Sequence, residues 1–193
     1  MKVIGLTGGI GSGKSFVAHI LEKMGYPVFY SDEAAKYLTN KDSQIKSQLI
    51  QLFGEEVYNE NGLNKKFLSD RIFQNQAVLA QVNSIIHPVV RQYFVSWTMQ
   101  QKSDLVFNEA AILFETGAYK SFPANFLVTA PLELRIERVM KRDNAIREQV
   151  LARINAQMSD DEKMKLTPYI INNDEREPVL SQIESAIDLV QTV

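Results

Sequence analysis

The sequence predicts an α/β fold, with a five-stranded parallel sheet flanked by helices, in a single domain of 193 residues. Three observations lead there. Five short apolar runs, at residues 2–7, 28–30, 105–107, 126–128 and 169–171, have strand length and are bounded by turn residues. The stretches between them repeat apolar residues at helical spacing, and that alternation belongs to a parallel sheet covered on both faces. A glycine-rich octapeptide, Gly8-Gly9-Ile10-Gly11-Ser12-Gly13-Lys14-Ser15, stands where the first strand meets the first helix.

Each element has its own signal. After the octapeptide, Val17, Ile20, Leu21 and Met24 recur at i, i+3, i+4 and i+7, one face of a helix that Gly25 and Pro27 end. Val28, Phe29 and Tyr30 form the second strand, and Ser31 is placed to cap a helix starting at Asp32. A long helical stretch without strand signal follows, patterned by Ile45/Leu49/Leu52/Phe53, Val78/Val82/Ile85/Ile86 and Val90/Tyr93/Phe94/Trp97. Within it, Asn59 to Gly62 reads as a turn. His87-Pro88 reads as a break between helices, because proline disfavours the helical conformation in the residue before it. The stretch is longer than one crossover needs, so it forms a separate helical lobe. Leu180, Ile183, Ile187 and Val190 pattern the closing helix.

Composition narrows the function classes. The formal net charge of −2 gives no basic surface for nucleic acid. The absence of cysteine excludes disulfides, thiolate zinc sites and a cysteine nucleophile. No run approaches the ~20 apolar residues of a membrane span, and the apolar N-terminus is too short for a signal peptide. The expectation is a soluble, cytoplasmic protein.

The octapeptide fits the phosphate-binding pattern Gly-x(4)-Gly-Lys-Ser/Thr in its required context, strand before and helix after. Glycines let bare backbone N–H groups approach a triphosphate, and the helix N-terminus adds donors and partial positive charge. Lys14 can reach the β- and γ-phosphates, and the Ser15 hydroxyl can ligate a metal. In open parallel sheets ligands bind beyond the carboxyl ends of the strands. Asp32, after the second strand, is therefore a candidate to accept or orient the proton of an attacking hydroxyl. The same position suits an aspartate that merely favours a helix start, and Glu33 competes for the role. Glu109, ending the third strand, is placed either to hold the metal or to be solvated.

Residues 133–157 read as a basic helical pair in which Arg135, Arg138 and Arg142 share one face and Ile136, Val139 and Met140 another. It is either a lid whose arginines close on the nucleotide or a solvated charged face. His87 and Glu115 each have a substrate-contacting and a purely structural reading. Trp97 reads as a packing residue.

Together these residues resemble the dephospho-coenzyme A kinase family. The resemblance runs through Gly5 to Ser15, Asp32 with Ala35 and Lys36, His87-Pro88 and Leu113-Phe114-Glu115. It continues through Arg138 with Arg142-Asp143, Arg153 with Gln157-Met158, and Asn172-Asn173. It implies a nucleoside-monophosphate-kinase-like P-loop fold with sheet order 2-3-1-4-5. It also implies a core at about 1–31, 104–132 and 166–193, a coenzyme A lobe at about 33–103 and a lid at about 133–160. The implied reaction is ATP-dependent phosphorylation of the ribose 3′-hydroxyl of dephospho-coenzyme A, the last step of coenzyme A synthesis. ATP would be held by Gly9, Ile10, Gly11, Ser12, Gly13, Lys14, Ser15 and Phe16 with Arg138 and Arg142. The acceptor would be held by Asp32, Lys36, His87, Arg91 and Glu115. Lys14, Asp32 and Arg142 would be catalytic, and Ser15 and Glu109 would hold Mg²⁺. The implied partners are these two substrates, with no nucleic acid, membrane or obligate protein partner.

The chain departs from the family pattern in places. Tyr30-Ser31-Asp32 replaces Asp-Ala-Asp, Glu109 replaces aspartate and Ala111 replaces proline. Lys36 replaces arginine or histidine, and a point charge matches a planar partner less well than a guanidinium. Two rival readings are another P-loop small-molecule or nucleotide kinase and a GTPase-type switch. The ordered motif set argues against the first. The second needs an Asp-x-x-Gly and an Asn-Lys-x-Asp, and Asn64-Lys65-Lys66-Phe67 fails at its last position.

Overall fold

β1 (Lys2–Gly8) lies at the centre of the sheet because it is apolar on both faces, with Ile4 and Leu6 fully buried. The computed structural model describes residues 1–72 and 75–192. β1 pairs in parallel with β3 (Leu105–Glu109), Ile4 opposite Phe107, and with β4 (Ala124–Thr129), Leu6 opposite Phe126. β4 pairs in parallel with β5 (Tyr169–Asn172), and β2 (Val28–Tyr30) completes the other edge. The strand order is 2-3-1-4-5, as the resemblance implies.

The molecule divides into two compact units, Met1–Phe29 with Lys102–Val193, and Tyr30–Gln101. The first carries the sheet. Its core is built from Val106, Phe107, Phe126, Leu127, Val128 and Ile171, with Val17 and Leu21 of α1 (Lys14–Lys23). Ile183 and Ile187 of the closing helix, Val179–Thr192, are buried as well. Phe107 meets Tyr26 edge-on at 5.8 Å and Phe126 at 5.5 Å between ring centres. Each such ring or branched chain contributes roughly 1.5–3 kcal/mol by leaving water.

The second unit holds α2 (Ser31–Lys41), α3 (Ser43–Phe53), α4 (Lys65–Ile72) and α5 (Gln76–Thr98). They close on a core of Leu38, Ile45, Leu49, Val57, Leu68 and Val82. Asp42 caps α3 by accepting from the Ile45 N–H at 2.9 Å, and Asn75 caps α5. Phe94 and Trp97 stack along α5 at 6.1 Å, in keeping with a packing role.

Three expectations are corrected here. α2 begins at Ser31, one residue early, and Tyr30 occupies the cap position without a side-chain cap. The Asn59–Gly62 turn closes a two-stranded hairpin, Tyr58–Asn59 against Gly62–Leu63, in a stretch that carries no strand signal. It forms because the Asn59 side chain accepts from the Asn61 N–H at 2.9 Å, Gly62 takes φ +101°, and Asn40 binds the Leu63 N–H at 2.8 Å. Finally, α5 does not break at His87-Pro88 but runs through it. Ile85, Ile86, Val89 and Val90 pack on the core on both sides of the proline, and that burial outweighs the missing backbone rung.

After β4 come α6 (Leu132–Asp143), α7 (Arg147–Asn155) and α8 (Asp160–Met164). Ile136, Val139 and Val150 form a buried cluster with Ile10 packed against it. α8 opens with a capping box in which Ser159 and Glu162 bond each other's backbone N–H.

Candidate active site

The octapeptide folds as the sequence predicts, between β1 and α1, with Gly11 and Gly13 at φ +81° and +92°. The Ser12 N–H donates to the Gly9 carbonyl at 3.0 Å, so the loop closes on itself. Lys14, Ser15 and Phe16 form the first turn of α1, where the helix dipole is positive, and the Phe16 N–H donates to the Gly13 carbonyl at 2.9 Å. Ser15 and Phe16 are exposed.

Glu109 ends β3 as a buried carboxylate, only 4% exposed, and its Oε1 forms an ion pair with Lys14 Nζ. The P-loop lysine is thus held by a counter-ion at the carboxyl end of the sheet. The glycines are demanded from the protein side as well as by any ligand. A Cβ on Gly9 would lie 2.3 Å from the Arg135 guanidinium, and one on Gly13 would lie 1.9 Å from the Asn173 amide nitrogen.

The basic helices do not present one arginine face. Arg135 is buried, with Nε on the Ile10 carbonyl at 2.9 Å and a terminal nitrogen on Asp160 at 2.8 Å. Arg138 is half-buried; it donates to the Asn173 carbonyl at 3.1 Å and to Glu175 at 2.8 Å. Its other terminal nitrogen is buried without a hydrogen-bond partner, on the side facing Gly13. Arg142 is exposed and bonds Asp143 through two nitrogens, at 2.7 and 3.1 Å, while Arg153 reaches the same carboxylate at 2.9 Å. Arg142 and then Arg153 hold the Asp143 carboxyl below its ordinary range.

Glu115 faces inward: its Oε1 lies 2.9 Å from the fully buried Lys163 ammonium and accepts from the Met158 N–H at 3.2 Å. Gly9 to Phe16, Glu109, Glu115, Arg138 and Arg142 all belong to the sheet-bearing unit. Asp32, Lys36, His87 and Arg91 belong to the helical unit. Asp32 is half-buried in the first turn of α2, with Glu33 exposed beside it and Lys36 exposed one turn on. His87 and Arg91 are one turn apart on α5, and α2 is tied to α5 by Tyr37 and Tyr93, whose ring centres are 6.4 Å apart. Burial first, and the Arg91 charge second, push the His87 imidazole below its ordinary 6.5.

A model of the dephospho-CoA kinase family matches residues 2–178. The chain belongs to that family. A Bacteroides fragilis dephospho-CoA kinase is 45% identical over 181 residues, covering 93% of this chain and 88% of the relative. A Porphyromonas gingivalis dephospho-CoA kinase is 36% identical, covering 100% and 96%. A crystal structure of a Thermus thermophilus protein superposes with a TM-score of 0.85 at 35% identity, covering 99% of this chain and 96% of that one. The dephospho-CoA kinase of Campylobacter jejuni shares the fold, with a TM-score of 0.65 at 23% identity, covering 98% and 95%.

Family membership accounts for the P-loop but assigns nothing to Arg135, Asp160 or Lys163. The sequence places Arg135 among the arginines of the basic helical pair, not buried behind the loop, and it does not single out Asp160 or Lys163. A signal for Arg135 existed. It falls on the i, i+3, i+4, i+7 series with Leu132, Ile136 and Val139, so a charge stands on the apolar stripe of its helix. Gln157 and Asn173 lie in motifs that carry the resemblance, and the structure gives them contacts: Gln157 accepts from the Ile10 N–H at 2.8 Å, and Asn173 donates to the Ser12 carbonyl at 2.9 Å.

Proposed function

We propose that the protein transfers the γ-phosphoryl group of ATP to the ribose 3′-hydroxyl of dephospho-coenzyme A, giving coenzyme A and ADP. The observation that carries this is a P-loop with a paired Lys14–Glu109 at the carboxyl end of the sheet, in a chain of the dephospho-CoA kinase family. The enzyme is a kinase, and phosphoryl transfer asks of a protein mainly positioning and charge. The P-loop N–H groups and the N-terminus of α1 receive the phosphates, and Lys14 neutralises charge on the moving group. Arg138, with a buried donor free beside Gly13, binds the same anion. Arg142 joins it when the helical pair closes, exchanging Asp143 for phosphate.

Asp32 accepts the proton of the 3′-hydroxyl as that oxygen attacks phosphorus and the ADP oxygen departs. Lys36, His87 and Arg91 of the helical unit, with Glu115, form the acceptor side in this proposal, and the segment at about 133–160 is the lid. A metal accompanies ATP in a kinase. Mg²⁺ is the ion proposed, and the Ser15 hydroxyl and Glu109 carboxylate are the oxygen donors that suit it. Among the described residues no cluster of three or more acidic or histidine side chains could hold a metal, so these donors would act together with phosphate oxygens. The metal would draw charge from the phosphates. The reaction is proposed to take place in the cytoplasm; no helix among the described residues is long and apolar enough to cross a membrane.

The test is ADP release with dephospho-coenzyme A, adenosine and several nucleoside monophosphates offered in parallel. Turnover should be confined to dephospho-coenzyme A and should yield coenzyme A. Equal or faster turnover on a nucleoside monophosphate would overturn the assignment in favour of a nucleotide kinase.

A further inference from the structure

A trans peptide points its carbonyl and its N–H in opposite directions, so holding one aims the other. Two peptides of the P-loop are held in this way. The Ile10 carbonyl accepts from Arg135 Nε at 2.9 Å, which directs the Gly11 N–H to the opposite side. The Ser12 carbonyl accepts from the Asn173 side-chain amide at 2.9 Å, which directs the Gly13 N–H likewise. Neither N–H has a hydrogen-bond partner among the described residues, whereas the N–H groups of Ile10 and Ser12 are taken by Gln157 and Gly9. The two free donors alternate with the two committed ones along the loop.

The loop would not keep this arrangement unaided. Gly11 and Gly13 sit at φ +81° and +92°, and glycine crosses freely between left- and right-handed conformations, so the adjoining peptides can turn over at little cost. The residues holding them are themselves fixed. Arg135 is 5% exposed, is oriented by Asp160 at 2.8 Å, and its own backbone would lie 2.5 Å from a Cβ on Gly11. Asn173 is 7% exposed, its N–H donates to the Thr129 carbonyl at the end of β4 at 2.8 Å, and its carbonyl is held by Arg138. Asp160 belongs to α8, whose Lys163 is anchored on Glu115. The chain of contacts therefore runs from the loop to β4 through Asn173, and to the segment after β3 through Arg135, Asp160 and α8.

We infer that Arg135 and Asn173 are positioning residues, which lock two flippable glycine peptides so that the N–H groups of Gly11 and Gly13 face an incoming polyphosphate. Neither touches the nucleotide in this assignment; each acts through a peptide it holds from behind. This inference rests on the P-loop being the ATP site, and it is independent of which acceptor receives the phosphoryl group.

The test has two arms. In the first, Arg135→Lys keeps the charge but loses the forked in-plane donor, and Asn173→Asp replaces the amide donor with an acceptor facing the Ser12 carbonyl. Each should raise KM for ATP by about tenfold, the worth of one aimed hydrogen bond to an anion, while KM for dephospho-coenzyme A stays within about twofold. A purely structural role would lower Tm and leave the two KM values unchanged or shift them together. Variants that fold but show unchanged KM for ATP overturn the inference.

The second arm needs no variant. Amide hydrogen exchange of the wild-type protein should show Gly11 and Gly13 unprotected alone and protected with ATP, and Ile10 protected in both states. Gly11 and Gly13 amides indifferent to ATP would overturn the inference even if both variants failed to fold. Wild-type protein that shows this protection yet no turnover on dephospho-coenzyme A would sink the proposed reaction and leave the lock standing.

Discussion

Lys14 and Asp32 are assigned to opposite sides of the reaction, and single substitutions separate them. Asp32→Asn preserves size and removes the proton acceptor, so kcat should fall by roughly 10²–10⁴-fold. ATP should still stabilise this variant, by about 2.7 kcal/mol at a hundredfold excess over Kd, because the P-loop residues proposed to bind its phosphates are untouched. Near wild-type turnover would reduce Asp32 to a helix-start residue and pass the role to Glu33. His87 makes a prediction about pH. Its folded value lies below 6.5, so at mildly acidic pH the unfolded chain binds a proton that the folded chain excludes. Its contribution is therefore complete above about 6.5 and is lost as pH falls through that value towards the folded one. Tm measured between pH 7.5 and 5.5, around an unfolded value of about 6.5, should fall more steeply for wild type than for His87→Gln. Parallel curves would show that His87 does not drive the dependence. At this scale the octapeptide was legible because its chemistry is contiguous. Arg135 was legible as a basic residue of the helical pair but not in its buried contact with the loop, because a helical arginine is normally solvated and only the tertiary structure brings the Ile10 carbonyl to it.

Among the elements, the five sheet strands were legible from their apolar runs; β1, β3 and β4 are buried on both faces and need no alternation to be noticed. The Tyr58–Asn59 and Gly62–Leu63 strands were not. Two residues carry no period, and their pairing depends on Asn40 some twenty residues earlier. Proline misled in the opposite direction. The local rule that it ends helices lost to a continuous apolar face on α5. Pro88 therefore leaves the Ser84 carbonyl without its helical donor on an exposed face. Pro88→Ala should raise stability to urea by about 2 kcal/mol, roughly 3 for the restored helix interior less about 1 for the freer unfolded chain. A loss of stability would mean that the proline ring contributes packing that outweighs the missing bond. The short α8 owes its existence to its capping box, and Asp160 and Lys163 reach their partners from it. Ser159→Ala should cost about 1 kcal/mol in the same assay.

For the whole molecule, the two units have separate apolar cores, and every P-loop residue lies in the sheet-bearing one. The stacked Phe94–Trp97 pair then has a practical consequence. Trp97 is the only tryptophan in the chain, and it lies on α5 of the helical unit. Indole fluorescence is thus a reporter native to that unit, while far-UV circular dichroism averages over both. A saturating nucleotide should move the dichroism midpoint in a urea titration further than the fluorescence midpoint, because its binding energy is delivered to the other unit. Coincident shifts would instead show one cooperative transition. Without any attached dye, the protein's own optics can show whether its two halves melt separately or together.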